Sequence, residues 1–323
     1  MLLNANEKFN EKDYIKVINE NVNSNVAPKR PLSKIIGATV KTGIIKSNLI
    51  PMFAGLTLAL YTYQKDLVEL FPNIVYALVG TTLVIAAAGA FNNLYDRDID
   101  TIMKRTQKRP TVTGEISAKT VLWLSIIMTV VGVGVLYLAT PLAALLGFLG
   151  VFFYVVPYTM WTKRRTIWNT EVGSISGAMP PLIGWAAIHP DITHPAIIGL
   201  FVVTVIWQMP HFYAIAIRSH EDYEAAKVPM LPVVKGVKRT FVQTNIYLVI
   251  MVAISFLFGT LSLGLMLVAL ILSVGWLVLS LYGSKKMDAN RWAKSMFVYS
   301  LLHMTILFST VIIYSLMGIF FFQ

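Results

Sequence analysis

The sequence predicts an all-α polytopic membrane protein, and its composition and hydropathy pattern are the observations that predict it. Of the 323 residues, 56% are hydrophobic and 13% are charged, and the mean hydropathy is +0.66. Soluble domains carry about 25% charged residues, and a membrane-crossing helix needs about 20 mostly apolar residues. The runs without Asp, Glu, Lys or Arg that reach or approach that length are 47–64, 70–95, 120–162, 172–190, 192–217, 240–284 and 295–323.

Two of these runs are long enough for two crossings each, and both contain residues that break helices. Thr140-Pro141 interrupts 120–162, and the stretch from Gly259 to Gly264 interrupts 240–284. Pro lacks the backbone N–H that a helix interior needs, and Gly and Pro mark turns between apolar halves. Splitting both runs gives about nine predicted transmembrane helices.

The basic residues indicate which connections face the cytoplasm, because short loops that carry Lys and Arg stay inside. Of the 27 Lys and Arg residues, all except Lys65 precede the first span or lie after predicted spans two, four, six and eight. We therefore expect a cytoplasmic N-terminus and an outside C-terminus. Residues 1–35 form a predicted cytoplasmic tail, and 36–323 form the predicted transmembrane domain.

The net charge of +11 follows from these basic loops. Juxtamembrane Lys and Arg attract anionic lipid, so we expect membrane lipid, and not nucleic acid, as the partner of this charge. The chain has no cysteine, which excludes disulfides, thiolate metal sites and thiol nucleophiles.

An acidic segment, 92–100 (NNLYDRDID), follows the second predicted span. Residues spaced four apart share one face of a helix, so Asn92, Asp96 and Asp100 form a ladder while Asp98 points away. Acid that begins inside an apolar span is costly and usually functional. Mg²⁺ prefers oxygen ligands, often one or two carboxylates completed by phosphate and water. The alternative is a solvated face whose acids pair with nearby cations.

A second polar series follows the sixth predicted span. His211, Arg218 and Asp222 are spaced i, i+7 and i+11, so they share one face if the helix of span six continues into the loop. Asp222 would then meet the first ladder from the opposite half of the chain. The alternative is a loop carboxylate that caps or pairs locally.

A third group, Lys163-Arg164-Arg165, closes the fourth span on the same predicted face. As a positive-inside anchor it needs no further role. In the functional interpretation, these cations stabilise negative charge that builds on a departing diphosphate, and Arg grips phosphate oxygens with a planar fork.

Together these features resemble the UbiA-type intramembrane prenyltransferases, which carry an NxxxDxxxD motif after an early span, here at Asn92, Asp96 and Asp100. Within that superfamily the chain is similar to the branch that farnesylates haem. The segments that carry this narrower resemblance are 103–110 (MKRTQKRP), 158–166 (YTMWTKRRT), 177–185 (GAMPPLIGW), 207–212 (WQMPHF), 222–223 (DY) and 229–236 (PMLPVVKG).

The resemblance implies transfer of a farnesyl group from farnesyl diphosphate to a vinyl group of haem B, with release of diphosphate and addition of water. It also implies dependence on Mg²⁺. The expected partners are farnesyl diphosphate, haem B and membrane lipid, with a downstream haem A synthase or a second copy of the chain as further candidates.

The resemblance also assigns roles by position. Asn92, Asp96 and Asp100 would hold one Mg-diphosphate contact, and Asp222 a second. His211 would bind haem, either by ligating iron or by orienting a propionate. Other residues are expected to clamp the diphosphate or to face the allylic cation: Arg105, Arg109, Lys163 and Arg164 for the former, and Tyr158, Trp161 and Phe212 as candidates for the latter.

One departure from the superfamily pattern leaves the second metal contact in doubt, because Asp222 is followed four residues later by Ala226 and not by a second aspartate. Two other functions also stay open. A quinone-type prenyltransferase would act on an aromatic acid, and a membrane transporter would use the same intramembrane polar residues as an ion or substrate path.

Overall fold

The protein is helical throughout the described residues, 30–321 of a computed structural model, and that range contains no strand. The predicted tail 1–35 lies outside the described residues except for 30–35, of which Leu32 to Ile35 already belong to the first helix. The α-helices are α1 (Leu32–Thr39), α2 (Thr42–Thr62), α3 (Phe71–Tyr95), α4 (Arg97–Asp100), α5 (Pro110–Thr113), α6 (Ala118–Ala139), α7 (Pro141–Phe153), α8 (Asn169–Gly177), α9 (Met179–Ala186), α10 (Pro195–Arg218), α11 (His220–Ala225), α12 (Leu231–Ser255), α13 (Leu263–Lys286) and α14 (Ala289–Phe321).

Eight helical segments in the described range are long and apolar enough to cross a membrane, so the protein is a multi-pass membrane protein. Helix α7 continues through a π-helical and a 3₁₀ turn to Arg164 and forms one of them. The predicted count of nine is not confirmed, because the run 172–190 forms two short helices, α8 and α9. The backbone turns at Ala178, and Pro180 and Pro181 lack the N–H groups that would continue α8.

Both predicted helix breaks are confirmed. Helix α6 ends at Ala139, and Thr140 caps α7 by accepting a hydrogen bond from the N–H of Ala143 at 3.0 Å. Ser262 caps α13 in the same way, because its hydroxyl accepts from the N–H of Gly264 at 3.1 Å. Each cap satisfies a backbone donor that the helix itself leaves unpaired.

The short helix α9 is held by a very close contact with α2. A Cβ at Gly55 would lie 2.0 Å from the carbonyl oxygen of Pro181, and a Cβ at Gly184 would lie 2.0 Å from that of Met52. Small residues allow membrane helices to approach closely enough for backbone packing. Glycine at both positions therefore fixes α9 against the first crossing.

The crossings form two groups joined by α2. In the first, α3, α6 and α7 pack together, and in the second, α10, α12, α13 and α14 pack around a core that includes Trp207, Trp276 and Trp292. Helix α2 contacts both α9 and α14. At one end of the bundle, which we call the charged end, residues 96–110 meet residues 219–230 through Ile99 and Tyr223 in a small apolar cluster.

Candidate active site

The predicted ladder is present as one face at the charged end. Helix α3 stops at Tyr95, yet the N–H of Asp96 bonds to the Asn92 carbonyl at 2.9 Å and the N–H of Asp100 bonds to the Asp96 carbonyl at 2.8 Å. The side-chain amide of Asn92 also donates to Asp96 Oδ2 at 2.7 Å. All three ladder residues are at most 3% exposed, so they form a buried polar row.

Each ladder carboxylate is paired with a cation from elsewhere in the chain. Lys163, in the last turn of the fourth crossing, donates to Asp96, and Arg109 Nη1 lies 2.5 Å from Asp100 Oδ2. Arg164 reaches Asp96 at 3.5 Å. Surface pairs contribute little, but a buried carboxylate depends on its partner. The acids therefore do pair with cations, as in the alternative of a solvated face, but the ladder pairs are buried and not solvated.

Asp98 differs from the ladder acids, as the helical spacing predicts. Its side chain is 63% exposed and makes two hydrogen bonds of 2.7 Å with the guanidinium of Arg164. The hydrogen bonds from Arg164 lower the pKa of Asp98 below its ordinary value. This carboxylate lies at the rim, and Arg164 connects it to Asp96.

Lys41 is a site residue that the sequence reasoning missed. It lies between α1 and α2 with a left-handed backbone (φ 57°), and its ammonium donates to the Asn92 side-chain oxygen. Burial, together with the nearby Arg109 and Lys163, lowers the pKa of Lys41 well below its ordinary value. In the sequence Lys41 is one of many basic residues before the first span, and nothing there separates it from a membrane anchor.

Asp222 meets the first segment, but not through a continuous helix. The condition for a shared helical face, that the helix of span six continues into the loop, is not met, because α10 ends at Arg218 and a new helix, α11, begins at His220. The Asp222 carboxylate accepts hydrogen bonds from the backbone N–H groups of Lys104 at 3.0 Å and Arg105 at 3.4 Å. Asp222 thus joins the two halves of the charged end.

The proposed diphosphate-binding cations are not all equivalent. Arg109, Lys163 and Arg164 contact ladder or rim carboxylates, whereas the side chain of Arg105 is exposed and only its backbone contacts Asp222. Thr159, a second residue that the sequence reasoning missed, is fully buried and accepts a hydrogen bond from the Asn92 amide at 3.1 Å.

His211 lies among aromatic rings where α10 packs on α14. Its imidazole stacks with Trp207 at 4.5 Å and with Phe297 at 5.1 Å, measured between ring centroids. Its Nδ1 lies 2.7 Å from the hydroxyl of Ser300. The chain thus places its motif histidine in an apolar, aromatic environment that contrasts with the ladder.

The three aromatic candidates for the allylic cation lie in different settings. Tyr158 packs closely on α8, where a Cβ at Gly173 would come within 2.8 Å of its ring. Trp161 is 58% exposed and Phe212 is 39% exposed. Tyr158 is the most enclosed of the three, and its neighbour Thr159 contacts the ladder.

The donor set of the ladder suits Mg²⁺. In residues 30–321 no three His, Asp or Glu side chains come together as one metal site. Mg²⁺ does not require such a cage, because it commonly uses one or two carboxylates and takes its other ligands from phosphate and water. Asp96 and Asp100, with the amide oxygen of Asn92, supply that kind of hard oxygen set on one face.

Comparison with known proteins identifies close relatives. A family model described as the UbiA prenyltransferase family matches residues 48–302. Protoheme IX farnesyltransferase 1 of Bacillus cytotoxicus is 70% identical over 298 residues, covering 92% of this chain and 97% of the relative. Protoheme IX farnesyltransferase 2 of Lysinibacillus sphaericus is 63% identical over 311 residues, covering 94% of this chain and 98% of the relative.

Solved structures show the same fold at low identity. A structure described as digeranylgeranylglyceryl phosphate synthase in membranes superposes with a TM-score of 0.70 and 16% identity, covering 87% of this chain and 98% of the other. A UbiA homolog from Archaeoglobus fulgidus bound to GPP and Mg²⁺ superposes with a TM-score of 0.62 and 14% identity, covering 86% of this chain and 99% of the other. At these identities the likeness establishes the fold alone.

Proposed function

The chain belongs to the UbiA prenyltransferase family, and we propose that it transfers the farnesyl group of farnesyl diphosphate to haem B, producing haem O. The observation that carries this proposal is the buried ladder Asn92–Asp96–Asp100 surrounded by cations from separate segments. Relatives more than 60% identical over most of the chain are named protoheme IX farnesyltransferases, which supports haem as the acceptor.

Cations from three parts of the chain converge on the position proposed for the diphosphate. They are Lys41 before α2, Arg109 before α5, and Lys163 and Arg164 at the end of the fourth crossing. Preorganised cations in a partly dry site stabilise the charge that builds on a leaving diphosphate, at no cost of reorganisation. We assign these four residues to diphosphate binding, with Arg105 as an exposed fifth.

Asn92, Asp96 and Asp100 would hold Mg²⁺, with Asp222 as a second contact, and the ion would supply charge neutralisation of the diphosphate when bound. The cations and the ladder contribute in opposite senses. The ladder acids repel a bare diphosphate, whereas Lys41, Arg109 and Lys163 attract it. The ion pairs hold the acids and the cations next to one another within one buried site.

The transfer reaction balances with water as the third reactant. The vinyl group of haem B forms a bond to C1 of the farnesyl chain while the C1–oxygen bond to diphosphate breaks. The bond forms at the terminal vinyl carbon, so positive charge develops on the vinyl carbon attached to the porphyrin ring. Water then adds to that ring-attached carbon and releases one proton, which leaves a hydroxyethylfarnesyl side chain. The Tyr158 ring would stabilise the cation-like allylic fragment without capturing it, because an aromatic face attracts positive charge. Trp161 and Phe212 are further candidates.

We assign haem binding to His211. The residue lies in a motif shared with the haem-farnesylating branch, and its ring lies in an aromatic environment suited to a flat macrocycle. Its Nδ1 is engaged by Ser300, whereas among residues 30–321 no group bonds to its Nε2. That nitrogen is the ligand we assign to haem iron.

The distribution of Lys and Arg supports placing the enzyme in the cell membrane with its active site toward the cytoplasm. The N-terminus and the tail 1–35 would then be cytoplasmic, and 36–323 the transmembrane prenyltransferase domain. The C-terminus would be outside, because α8 and α9 together lead from Lys163 at the charged end to His189, which stacks on Tyr63 at the other end of α2, and so add a ninth passage to the eight long segments. Haem O would pass to a downstream haem A synthase, and a second copy of the chain is another candidate partner.

The deciding experiment supplies the purified chain in lipid nanodiscs with farnesyl diphosphate, haem B and Mg²⁺, and identifies the products by mass spectrometry. We expect haem carrying one farnesyl group and one added water, formed in step with diphosphate release. If 4-hydroxybenzoate were prenylated while haem B stayed unchanged, the quinone-type function would replace this one. Solute movement in liposomes without consumption of farnesyl diphosphate would instead favour a transporter.

A further inference from the structure

Ser300 forms hydrogen bonds with three residues of the aromatic environment, namely Trp207, His211 and Phe297. Its side chain and backbone lie on α14 and are fully buried. Its carbonyl oxygen accepts a hydrogen bond from the indole N–H of Trp207 at 2.9 Å, and its hydroxyl oxygen lies 2.7 Å from His211 Nδ1. One residue of α14 therefore contacts two of the rings that α10 contributes, Trp207 and His211.

The hydrogen bonds of Ser300 fix where the imidazole proton lies. The Ser300 hydroxyl donates to the carbonyl oxygen of Phe297 at 2.5 Å, one turn earlier on α14. A serine hydroxyl has a single hydrogen, so toward His211 the oxygen can only accept. Assigning the hydroxyl hydrogen to the Phe297 carbonyl favours the tautomer with its proton on Nδ1, which in a neutral imidazole leaves Nε2 with a lone pair.

The rings also fix the orientation of the imidazole. Trp207 and Phe297 stack with it at interplanar angles of 19° and 28°, so both rings restrain the tilt of the imidazole. The guanidinium of Arg218 lies over the Phe297 ring, 5.2 Å from its centroid, and closes the stack at the end of α10. Phe212 meets the imidazole nearly perpendicular at 5.3 Å between ring centroids, so three rings restrain its orientation, while among residues 30–321 no group hydrogen-bonds to Nε2.

We propose that Ser300 is a positioning residue that holds His211 in the Nδ1–H tautomer and so presents an unprotonated Nε2 to the iron of the haem substrate. Histidines that ligate metals usually donate their second N–H to a neighbouring acceptor, which fixes both tautomer and orientation. This inference deepens the proposed function and rests on its assignment of haem as the acceptor.

The test measures binding by the full chain in nanodiscs, with two flat ligands that differ only at the centre. Haem B carries iron, and metal-free protoporphyrin IX does not. For Ser300→Ala we expect haem binding to weaken by about 10-fold or more, the usual cost of losing such a partner. Protoporphyrin binding and the KM for farnesyl diphosphate should stay within about 2-fold, because neither depends on the histidine–iron bond.

Two further variants separate positioning from general packing. Ser300→Thr keeps the hydroxyl and should retain haem binding and the absorption spectrum of histidine-ligated haem. Ser315→Ala is the matched control, because Ser315 is also fully buried on α14 and, within residues 30–321, its hydroxyl bonds only to the backbone carbonyl of Val311. This control should bind haem like the unmodified chain.

A double-mutant cycle supplies the outcome that would overturn the proposal. If Ser300 acts through His211, then Ser300→Ala should cause no further loss of haem binding in a His211→Ala background. An equal loss in both backgrounds, or an equal loss for haem and protoporphyrin, would reduce Ser300 to a packing residue. Because these are binding measurements, they remain decisive even if turnover assays show that haem is not the acceptor.

Discussion

The ladder and the surroundings of His211 are built on opposite physical principles. The ladder is a buried set of full charges in which every acid has a cation within reach, whereas His211 lies among aromatic rings and one hydroxyl. The first arrangement suits a highly charged leaving group, and the second suits a flat, largely apolar acceptor. The contrast predicts that the proposed donor and acceptor sites are separable, so variants should affect one without the other.

The largest effect should follow from neutralising a ladder acid. Asp96→Asn or Asp100→Asn keeps the side-chain volume but removes a charge that both metal and cations require. We expect kcat to fall by about 10²-fold to 10³-fold or more, the scale seen when an electrostatic catalytic group is lost. Haem binding should stay unchanged, and the protein should still insert into the membrane. Turnover close to that of the unmodified chain would remove the metal role.

The next largest effect should come from His211→Ala, which should impair haem binding and not the diphosphate site. Because His211 is the proposed iron ligand, its loss is expected to weaken haem binding by about 10-fold to 100-fold. The KM for farnesyl diphosphate should change by less than about 2-fold, since no ladder residue contacts the histidine. Titrations with haem and with farnesyl diphosphate measure the two effects separately. Equal losses in both would show that the two regions do not act independently.

Lys41→Met should have a smaller effect, confined to the donor side. The ammonium is one of several cations at the ladder, and a hydrogen bond from a charged group contributes about 1.5–3 kcal/mol. That range predicts a rise of about 10-fold to 100-fold in the KM for farnesyl diphosphate, nearer 10-fold because the other cations remain. Lys46→Met, at an exposed position a few residues on, is the matched control. A rise for both variants would indicate a general loss of positive charge.

Asp98→Asn should have the smallest effect, and it contrasts an exposed acid with the buried ladder acids of the same segment, 92–100. Asp98 is exposed at the rim, and exposed ion pairs contribute little, so activity should change by less than about 3-fold. Arg164 lowers the pKa of this carboxyl, so the pair is intact at neutral pH and is lost only as the pH falls through a value below 3.8. A pH–activity profile between 6 and 8 should therefore be the same for Asp98→Asn and the unmodified chain. A strong loss of activity would show that Asp98 is itself part of the active site.

The helical architecture and half of the site were predictable because their signals are local. Apolar runs fixed most crossings, and Thr140 and Ser262 act as caps at the breaks that Pro and Gly indicated. The ladder was predictable because spacing by four places side chains on one helical face. The exception was the run 172–190, in which Pro180 and Pro181 produce two short helices and not one long crossing.

The partners of the site residues were less predictable because they come from distant parts of the chain. Lys41 lies 51 residues before Asn92, and Ser300 lies 89 residues after His211. Neither residue carries a sequence signal, since Lys41 resembles a membrane anchor and Ser300 is one of many serines in apolar helices. The path of Asp222 was also misjudged, because α10 ends at Arg218 and the carboxylate reaches the backbone of Lys104 and Arg105 from a separate helix.

Composition and short-range spacing were enough to predict the membrane class, the family resemblance and the acids proposed for the diphosphate site. The pairing of each cation with its acid, and of the Ser300 hydroxyl with His211, became visible only in the folded chain. Buried charges and imidazole tautomers are set by groups within hydrogen-bonding distance, and packing, not chain order, brings those groups together.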